Sequence, residues 1–105
     1  MVRSVEKRRA SDSRQDDPRA VELRSAVSRL RRRLAAHPAE FADRSIAEEE
    51  LAALDALVAD GGLEVPRLRR SLLLIAGAIG SVSALGPGLR EVREAVELFG
   101  PSPRD

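Results

Sequence analysis

Residues that commonly carry out catalysis are sparse in this chain of 105 residues. It contains one histidine, His37, and no cysteine, which excludes disulfides and thiol chemistry. His37 precedes Pro38 at a predicted helix end, and no nucleophile or metal-ligand motif includes it. We therefore interpret His37 as a surface histidine at the end of a helix.

Three consecutive carboxylates, Glu48, Glu49 and Glu50, form the second candidate for chemistry. Metal sites in helical bundles use inward-facing acids, often at Glu-x-x-His spacing, and this sequence has no such pair. Residues 45–48 read S-x-x-E, the pattern of a capping box at a helix start. We predict that these acids stabilise a helix through capping and the helix dipole.

The glycines around Ser81 invite comparison with phosphate-binding loops. Neither G-x-G-x-x-G nor G-x-x-x-x-G-K-S/T occurs, and Ser81 lies in no G-x-S-x-G elbow. With no positive sign of catalysis, we predict that the protein is not an enzyme and has no catalytic residues, cofactor or metal site.

Composition favours helices throughout. The chain has sixteen Ala and fourteen Leu but only two aromatic residues, and Ala and Leu are strong helix formers whereas strands prefer β-branched and aromatic residues. Proline, glycine and capping signals divide residues 17–100 into four helices with short connections, which favours antiparallel neighbours. The predicted fold class is all-α: a compact antiparallel four-helix bundle with a fully apolar third helix.

Narrow apolar stripes at helical spacing predict the core. The first helix should begin at Asp17-Pro18, Phe41 should cover one end of the core, and Gly86-Pro87-Gly88 should break the chain before the fourth helix. The predicted stripe residues are Ala20, Leu23, Val27, Leu30 and Leu34 in the first helix, Ala47, Leu51, Leu54 and Val58 in the second, and Leu89, Val92, Val96 and Phe99 in the fourth.

The most apolar stretch is residues 66–85, which carry all their charges in the first five positions. A helix without a polar face must be covered by other helices, a second chain or lipid. Glycine within a helix costs about 1 kcal/mol relative to alanine, so Gly77 and Gly80 predict close approach of another backbone. The predicted interaction residues are Leu68, Leu72, Ile75, Gly77, Ile79, Gly80 and Val82.

Charge is segregated along the chain although its net value is only +1. The predicted first helix is basic and the second is acidic, which indicates complementarity within or between chains. Residues 1–16 have the composition of a disordered arm, residues 17–100 form the predicted domain, and residues 101–105 form a tail. The N-terminal residues lack the apolar region of a secretory signal, so we expect a cytoplasmic protein.

Two alternatives use the same third helix. Residues 72–89 are uncharged and follow an arginine cluster, as in membrane helices, but the Gly-Pro-Gly break leaves about fourteen residues where a span needs about twenty. Residues 45–85 have a helix–turn–helix outline, but the second helix becomes apolar after one turn, unlike a recognition helix. We keep two alternatives to the interaction module: a membrane-associated helical protein that inserts residues 72–89, and, with less support, a small nucleic-acid-associated regulator.

Four runs of sequence carry a family resemblance: residues 26–32 (AVSRLRR), 36–41 (AHPAEF), 65–77 (VPRLRRSLLLIAG) and 95–100 (AVELFG). They resemble a family of small helical actinobacterial (Streptomyces-like) proteins of unknown function, over about residues 18–100. The resemblance implies an actinobacterial origin, consistent with seventeen Arg against one Lys, and it implies no activity. We predict a non-enzymatic helical interaction or oligomerisation module whose partner is a second copy or another helical protein.

Overall fold

The computed structural model describes residues 17–61 and 64–100, and this part of the chain folds into four α-helices without a β-strand. The predicted all-α fold is confirmed, whereas the predicted arm (1–16) and tail (101–105) lie outside the described residues. The elements are α1 (Pro18–Ala36), α2 (Arg44–Ala59), α3 (Val65–Ile79), a short 3-10 helix (Ser83–Leu85) and α4 (Gly86–Glu97).

The helices pack as a ring in which α1 and α3 each contact both α2 and α4. Side-chain contacts give the direction of α1 relative to α4. Arg19, near the start of α1, lies 4.8 Å from the centre of the Phe99 ring, just beyond the end of α4. Arg29, further along α1, reaches Glu91 in the first half of α4, with Nε and Oε1 3.2 Å apart. The two helices are therefore antiparallel.

The core is aliphatic, and no polar or charged residue is buried among the described residues. Every predicted stripe residue of α1, α2 and α4 is buried except Phe99, which is half-buried against the core, as is Phe41. The apolar spacing therefore identified the inner face of these three helices. Core residues that the stripes did not include are Ala26, Ala78, Leu85 and Ala95.

Asp17 caps α1 as the sequence predicted. Its Oδ1 accepts a hydrogen bond from the backbone amide of Arg19 at 2.9 Å, which satisfies one of the unpaired amides of the first turn. The Arg19 guanidinium also donates to both carboxylate oxygens of Asp17. These hydrogen bonds from Arg19 hold the pKa of the Asp17 carboxyl below its ordinary value.

The predicted capping box of α2 is wrong. The helix begins at Arg44, so Ser45 lies inside its first turn, and the N-cap residue Asp43 makes no side-chain capping hydrogen bond. Glu48 accepts a hydrogen bond from Arg44 Nε at 3.3 Å rather than capping the chain before Ser45. The register differs because Arg44, a residue outside the pattern, is held in place by the preceding helix.

Arg44 joins the end of α1 to the start of α2. Its guanidinium donates to the carbonyl oxygens of Leu34 at 2.6 Å, His37 at 2.8 Å and Ala39 at 3.1 Å. The last carbonyls of a helix have no intrahelical partner, and a planar guanidinium with five N–H groups is suited to bind several of them. The Arg44 side chain is only 15% exposed, so a mostly buried arginine fixes the connection between α1 and α2.

The third helix is shorter than the predicted one. It ends at Ile79 with Gly80 as its C-cap, and Val82 precedes the 3-10 helix. Gly86-Pro87-Gly88 does not break the chain either: it forms the first turn of α4, where proline needs no amide partner and has a suitable φ. The uncharged stretch is therefore divided between two helices and the turn that joins them.

The predicted close approach of backbones at Gly77 and Gly80 does not occur within the described chain. A Cβ atom added to Gly77 would have no neighbour within 4 Å, and one added to Gly80 would meet only Ala76 of its own helix. The close approach is at Gly88, where an added Cβ atom would lie 2.9 Å from Leu30 Cδ1. The first turn of α4 therefore rests directly on the core side chain of α1.

We expect Gly88→Val to lower the free energy of unfolding by about 1–3 kcal/mol, since extra methyl groups would overpack the contact with Leu30. The matched variant Gly77→Val should change it by less than about 0.5 kcal/mol, because Gly77 faces open space and valine and glycine are both weak helix formers. Urea unfolding followed by circular dichroism measures both. Equal effects of the two substitutions would contradict the close packing at Gly88.

We expect Arg44→Ala to lower the free energy of unfolding by about 1.5–3 kcal/mol, because hydrogen bonds from a charged donor to several carbonyls would be lost. Arg32→Ala is the matched control: the guanidinium of Arg32 makes one long hydrogen bond, 3.4 Å to Ser28 Oγ, and its removal should cost less than about 0.5 kcal/mol. Thermal and urea unfolding compare the two. A similar small loss for both would show that Arg44 does not hold the connection.

Candidate functional site: the outer face of helices α2 and α3

Three candidate catalytic groups of the sequence, His37, Glu48 and Glu50, make structural contacts. His37 is half-buried at the end of α1, with its ring edge-on to Phe41 at a centroid distance of 6.0 Å. Glu48 binds Arg44, and Glu50 accepts a hydrogen bond from Ser71 Oγ at 2.9 Å. Within residues 17–61 and 64–100, no group of three or more His, Asp or Glu residues is placed to hold a metal ion.

The predicted interaction residues of the third helix fall into three groups. Leu68, Ile75 and Ile79 are fully buried in the core of the chain itself. Leu72 and Val82 are half-buried against that core, whereas Gly77 and Gly80 are exposed. A partner that docks on the folded bundle therefore meets the two glycines and the edges of Leu72 and Val82, while the other three side chains hold α3 in place.

The exposed aliphatic residues of α3 are Leu73 and Leu74, which the sequence analysis did not single out. Leu73 is 72% exposed and Leu74 is 47% exposed. A signal for them existed: at 3.6 residues per turn, a core stripe through Leu68, Leu72, Ile75 and Ile79 leaves residues 70, 73, 74 and 77 on the opposite side. The high overall hydropathy of the stretch concealed this outward-facing stripe.

Helix α2 adds one large aliphatic side chain beside them. Ile46 is 48% exposed and lies one turn before Glu50, whose carboxylate accepts the hydrogen bond from Ser71 on α3. Leu74 lies one turn after Ser71. Because α2 and α3 are joined by a short connection and run antiparallel, one turn back on α2 and one turn forward on α3 reach the same level. Ile46 and Leu74 therefore flank the same end of the groove between the helices.

Charged residues continue this surface away from its apolar end. Arg67 and Arg70 on α3 and Glu49 on α2 are exposed, and none of the three forms an ion pair within the described part of the chain. The small residue Ala53 is also exposed beside them. We name this surface the α2–α3 face, defined by Ile46, Glu49, Ala53, Arg67, Arg70, Leu74 and Gly77. Leu73 lies at its edge toward α4, one turn after Arg69, whose guanidinium donates to the carbonyl oxygen of Gly100.

The other grooves of the bundle are different in character. The groove between α1 and α2, about 370 Å³, contains Asp55, which pairs with Arg24 at 3.3 Å and with Arg31 at 3.7 Å. The groove between α1 and α4, about 640 Å³, contains the Arg29–Glu91 pair. Much of the basic charge of α1 is thus matched within the chain, as its position beside acidic segments predicted.

The membrane alternative required residues 72–89 to insert together. In the described part of the chain, no helix has the length and apolarity needed to cross a bilayer. Residues 72–89 comprise the second half of α3, a turn and the start of α4, and Ile75, Ile79 and Leu85 among them are buried in the core. The inserted segment proposed from the sequence is therefore not a single helix.

Comparison with known proteins places the chain in a family. A model of DUF5955, a family of unknown function, matches residues 12–100, so the chain belongs to that family. No curated protein and no solved structure matches the chain. The actinobacterial origin and the cytoplasmic location expected from the sequence stay predictions.

Proposed function

We propose that this DUF5955 protein is a non-enzymatic interaction module that associates with a second copy or with another helical protein through the α2–α3 face. The observation that carries the proposal is the exposure of Leu73 and Leu74 in the middle of an otherwise well-packed helix. Gly77, one turn further along, leaves open space beside them. A surface of this kind admits another helix at short distance.

The distribution of exposed aliphatic side chains supports this face over the others. Single exposed apolar residues are common on protein surfaces, whereas contiguous apolar patches mark interaction sites. Val21 and Leu98 are also exposed, but Val21 lies in the ion-paired groove of α1 and α2, and Leu98 lies in the groove that holds Arg29 and Glu91. Among the surfaces formed by residues 17–61 and 64–100, the α2–α3 face is the one that combines large exposed aliphatic residues of two neighbouring helices.

The size of the apolar cluster indicates a reversible complex. Complete burial of one aliphatic side chain contributes about 1.5–3 kcal/mol, and Ile46, Leu73 and Leu74 are already partly covered. Association itself costs about 4–15 kcal/mol in lost freedom of motion. Three such residues from one chain therefore need a partner with apolar and charged groups of its own, and the complex should dissociate on dilution.

The contacts made by candidate catalytic groups support a non-enzymatic role. His37 contacts Phe41, and Glu48 and Glu50 accept hydrogen bonds from Arg44 and Ser71. These contacts fix the positions of helix ends and helix pairs. An interaction module needs such rigid helices because a preorganised surface loses less entropy on binding.

We expect the double substitution Leu73→Gln and Leu74→Gln to abolish association while the fold is kept, because both side chains point away from the core. The matched control is Val21→Gln with Leu98→Gln, two residues of 51% and 50% exposure on other surfaces. Light scattering after size exclusion measures self-association, and pull-down with the tagged chain measures capture of other proteins.

The proposal requires that the face variant lose the self-association or the partner that the wild-type chain shows, and that the control keep it. If wild type, face variant and control are all monomeric and capture the same proteins, the α2–α3 face is not a docking surface.

A further inference from the structure

We propose that the occupant of the α2–α3 face is a second copy of this chain, related by a twofold axis parallel to the helices, so that α2 of each copy lies on α3 of the other. This inference rests on the proposed function of the face and names its partner. It follows from the positions of the apolar and charged residues along the two helices.

The two helices present their residues at matching heights. Glu50 and Ser71 are hydrogen-bonded and therefore share one level. Each residue advances a helix by 1.5 Å, and α2 and α3 run in opposite directions. Ile46 thus lies within about 3 Å of the level of Leu73 and Leu74, and Glu49 lies about 3 Å from the level of Arg70.

A twofold axis parallel to the helices keeps each residue at its own level. It sets α2 of one copy opposite α3 of the other, in the same antiparallel sense as the pair within each chain. Ile46 then faces Leu74 of the second copy, and Glu49 faces the Arg70 guanidinium. Apolar groups meet apolar groups and an acid meets a base, twice in each dimer, as an isologous interface requires.

Charge favours this arrangement over the other face-to-face arrangement. A twofold axis perpendicular to the helices would set α3 against α3 and α2 against α2. The arginines Arg67 and Arg70 would then share a helix pair with the same arginines of the second copy, and Glu49 would share one with a second Glu49. Like charges brought together across an interface disfavour binding, whereas the parallel axis pairs opposite charges.

Two charge reversals test this pairing through a mixing experiment. Glu49→Arg alone would bring arginine onto Arg70 of the second copy, and Arg70→Glu alone would bring glutamate onto Glu49, in both symmetry-related contacts of each dimer. We expect each variant alone to dissociate about tenfold more readily than wild type, as expected for two surface ion pairs turned repulsive. An equimolar mixture has two restored ion pairs in every mixed dimer, so it should recover the wild-type mass in sedimentation equilibrium.

The control is the mixture of Glu94→Arg and Arg90→Glu, which reverse charges at exposed positions on α4; these variants should dimerise like wild type, alone and mixed. Circular dichroism checks that each variant is folded, and the recovery on mixing shows that the variants retain the interface.

A wild-type chain that stays monomeric up to high concentration overturns the dimer. A dimer that neither reversal weakens, or that mixing fails to restore, overturns the pairing of α2 with α3. Whether the dimer or only its α2–α3 pairing is overturned, the proposed function is still supported if the double variant Leu73→Gln and Leu74→Gln no longer binds a protein partner that the wild-type chain binds.

Discussion

Burial of one aliphatic stripe on α1 is the constraint on which the rest of this bundle depends. Leu23, Val27, Leu30 and Leu34 are fully enclosed, and α1 contacts both α2 and α4. Each of these side chains contributes about 1.5–3 kcal/mol by leaving water. The chain has only two phenylalanines and no tryptophan or tyrosine, so few large rings can fill gaps between helices. The helices must therefore come close to one another.

That need for close approach explains where glycine and arginine are placed. Gly88 lets the first turn of α4 pack on Leu30, and Arg44 joins the end of α1 to the start of α2 through hydrogen bonds to four carbonyl oxygens. Gly88 lies in the first turn of α4 and Arg44 at the start of α2, so each residue positions the beginning of a helix that packs on α1. The remaining helix, α3, packs into the core through Leu68, Ile75 and Ile79. Its opposite side takes no part in core packing.

The sequence predicted the inner faces of α1, α2 and α4 because charged residues border their apolar stripes. The spacing alone therefore shows which side of each helix faces the core. It could not do so for α3, where apolar residues occupy all sides after Arg70 and composition does not distinguish Leu72 from Leu73. The packing of α3 between α2 and α4 settles that choice. Long-range contacts also explain the error at Ser45: the capping pattern is local, whereas Arg44 is positioned by the carbonyls of the preceding helix.

The candidate site follows the same division. The sequence predicted that the chain associates through its third helix and named seven residues in or just after it, but the exposed large aliphatic residues of α3 are Leu73 and Leu74, with Ile46 exposed on α2. Ile46 was beyond reach of pattern analysis, since its place beside Leu74 depends on how α2 and α3 pair. The charges beside them, Glu49 and Arg70, acquire a shared level only through that same pairing.

The most direct test of the account is a contact between α2 of one chain and α3 of another. The protein has no cysteine, so single substitutions Ile46→Cys and Leu74→Cys introduce isolated thiols. Mild oxidation of an equimolar mixture should give the disulfide between the two different chains as well over half of all disulfides, half being the share that random pairing gives, because disulfides need Cα atoms about 4.4–6.8 Å apart. Mass spectrometry identifies the products. A mixed disulfide that makes up half of the disulfides or less, a predominance of disulfides between two Leu74→Cys chains, or no disulfide at all would contradict this pairing of α2 with α3.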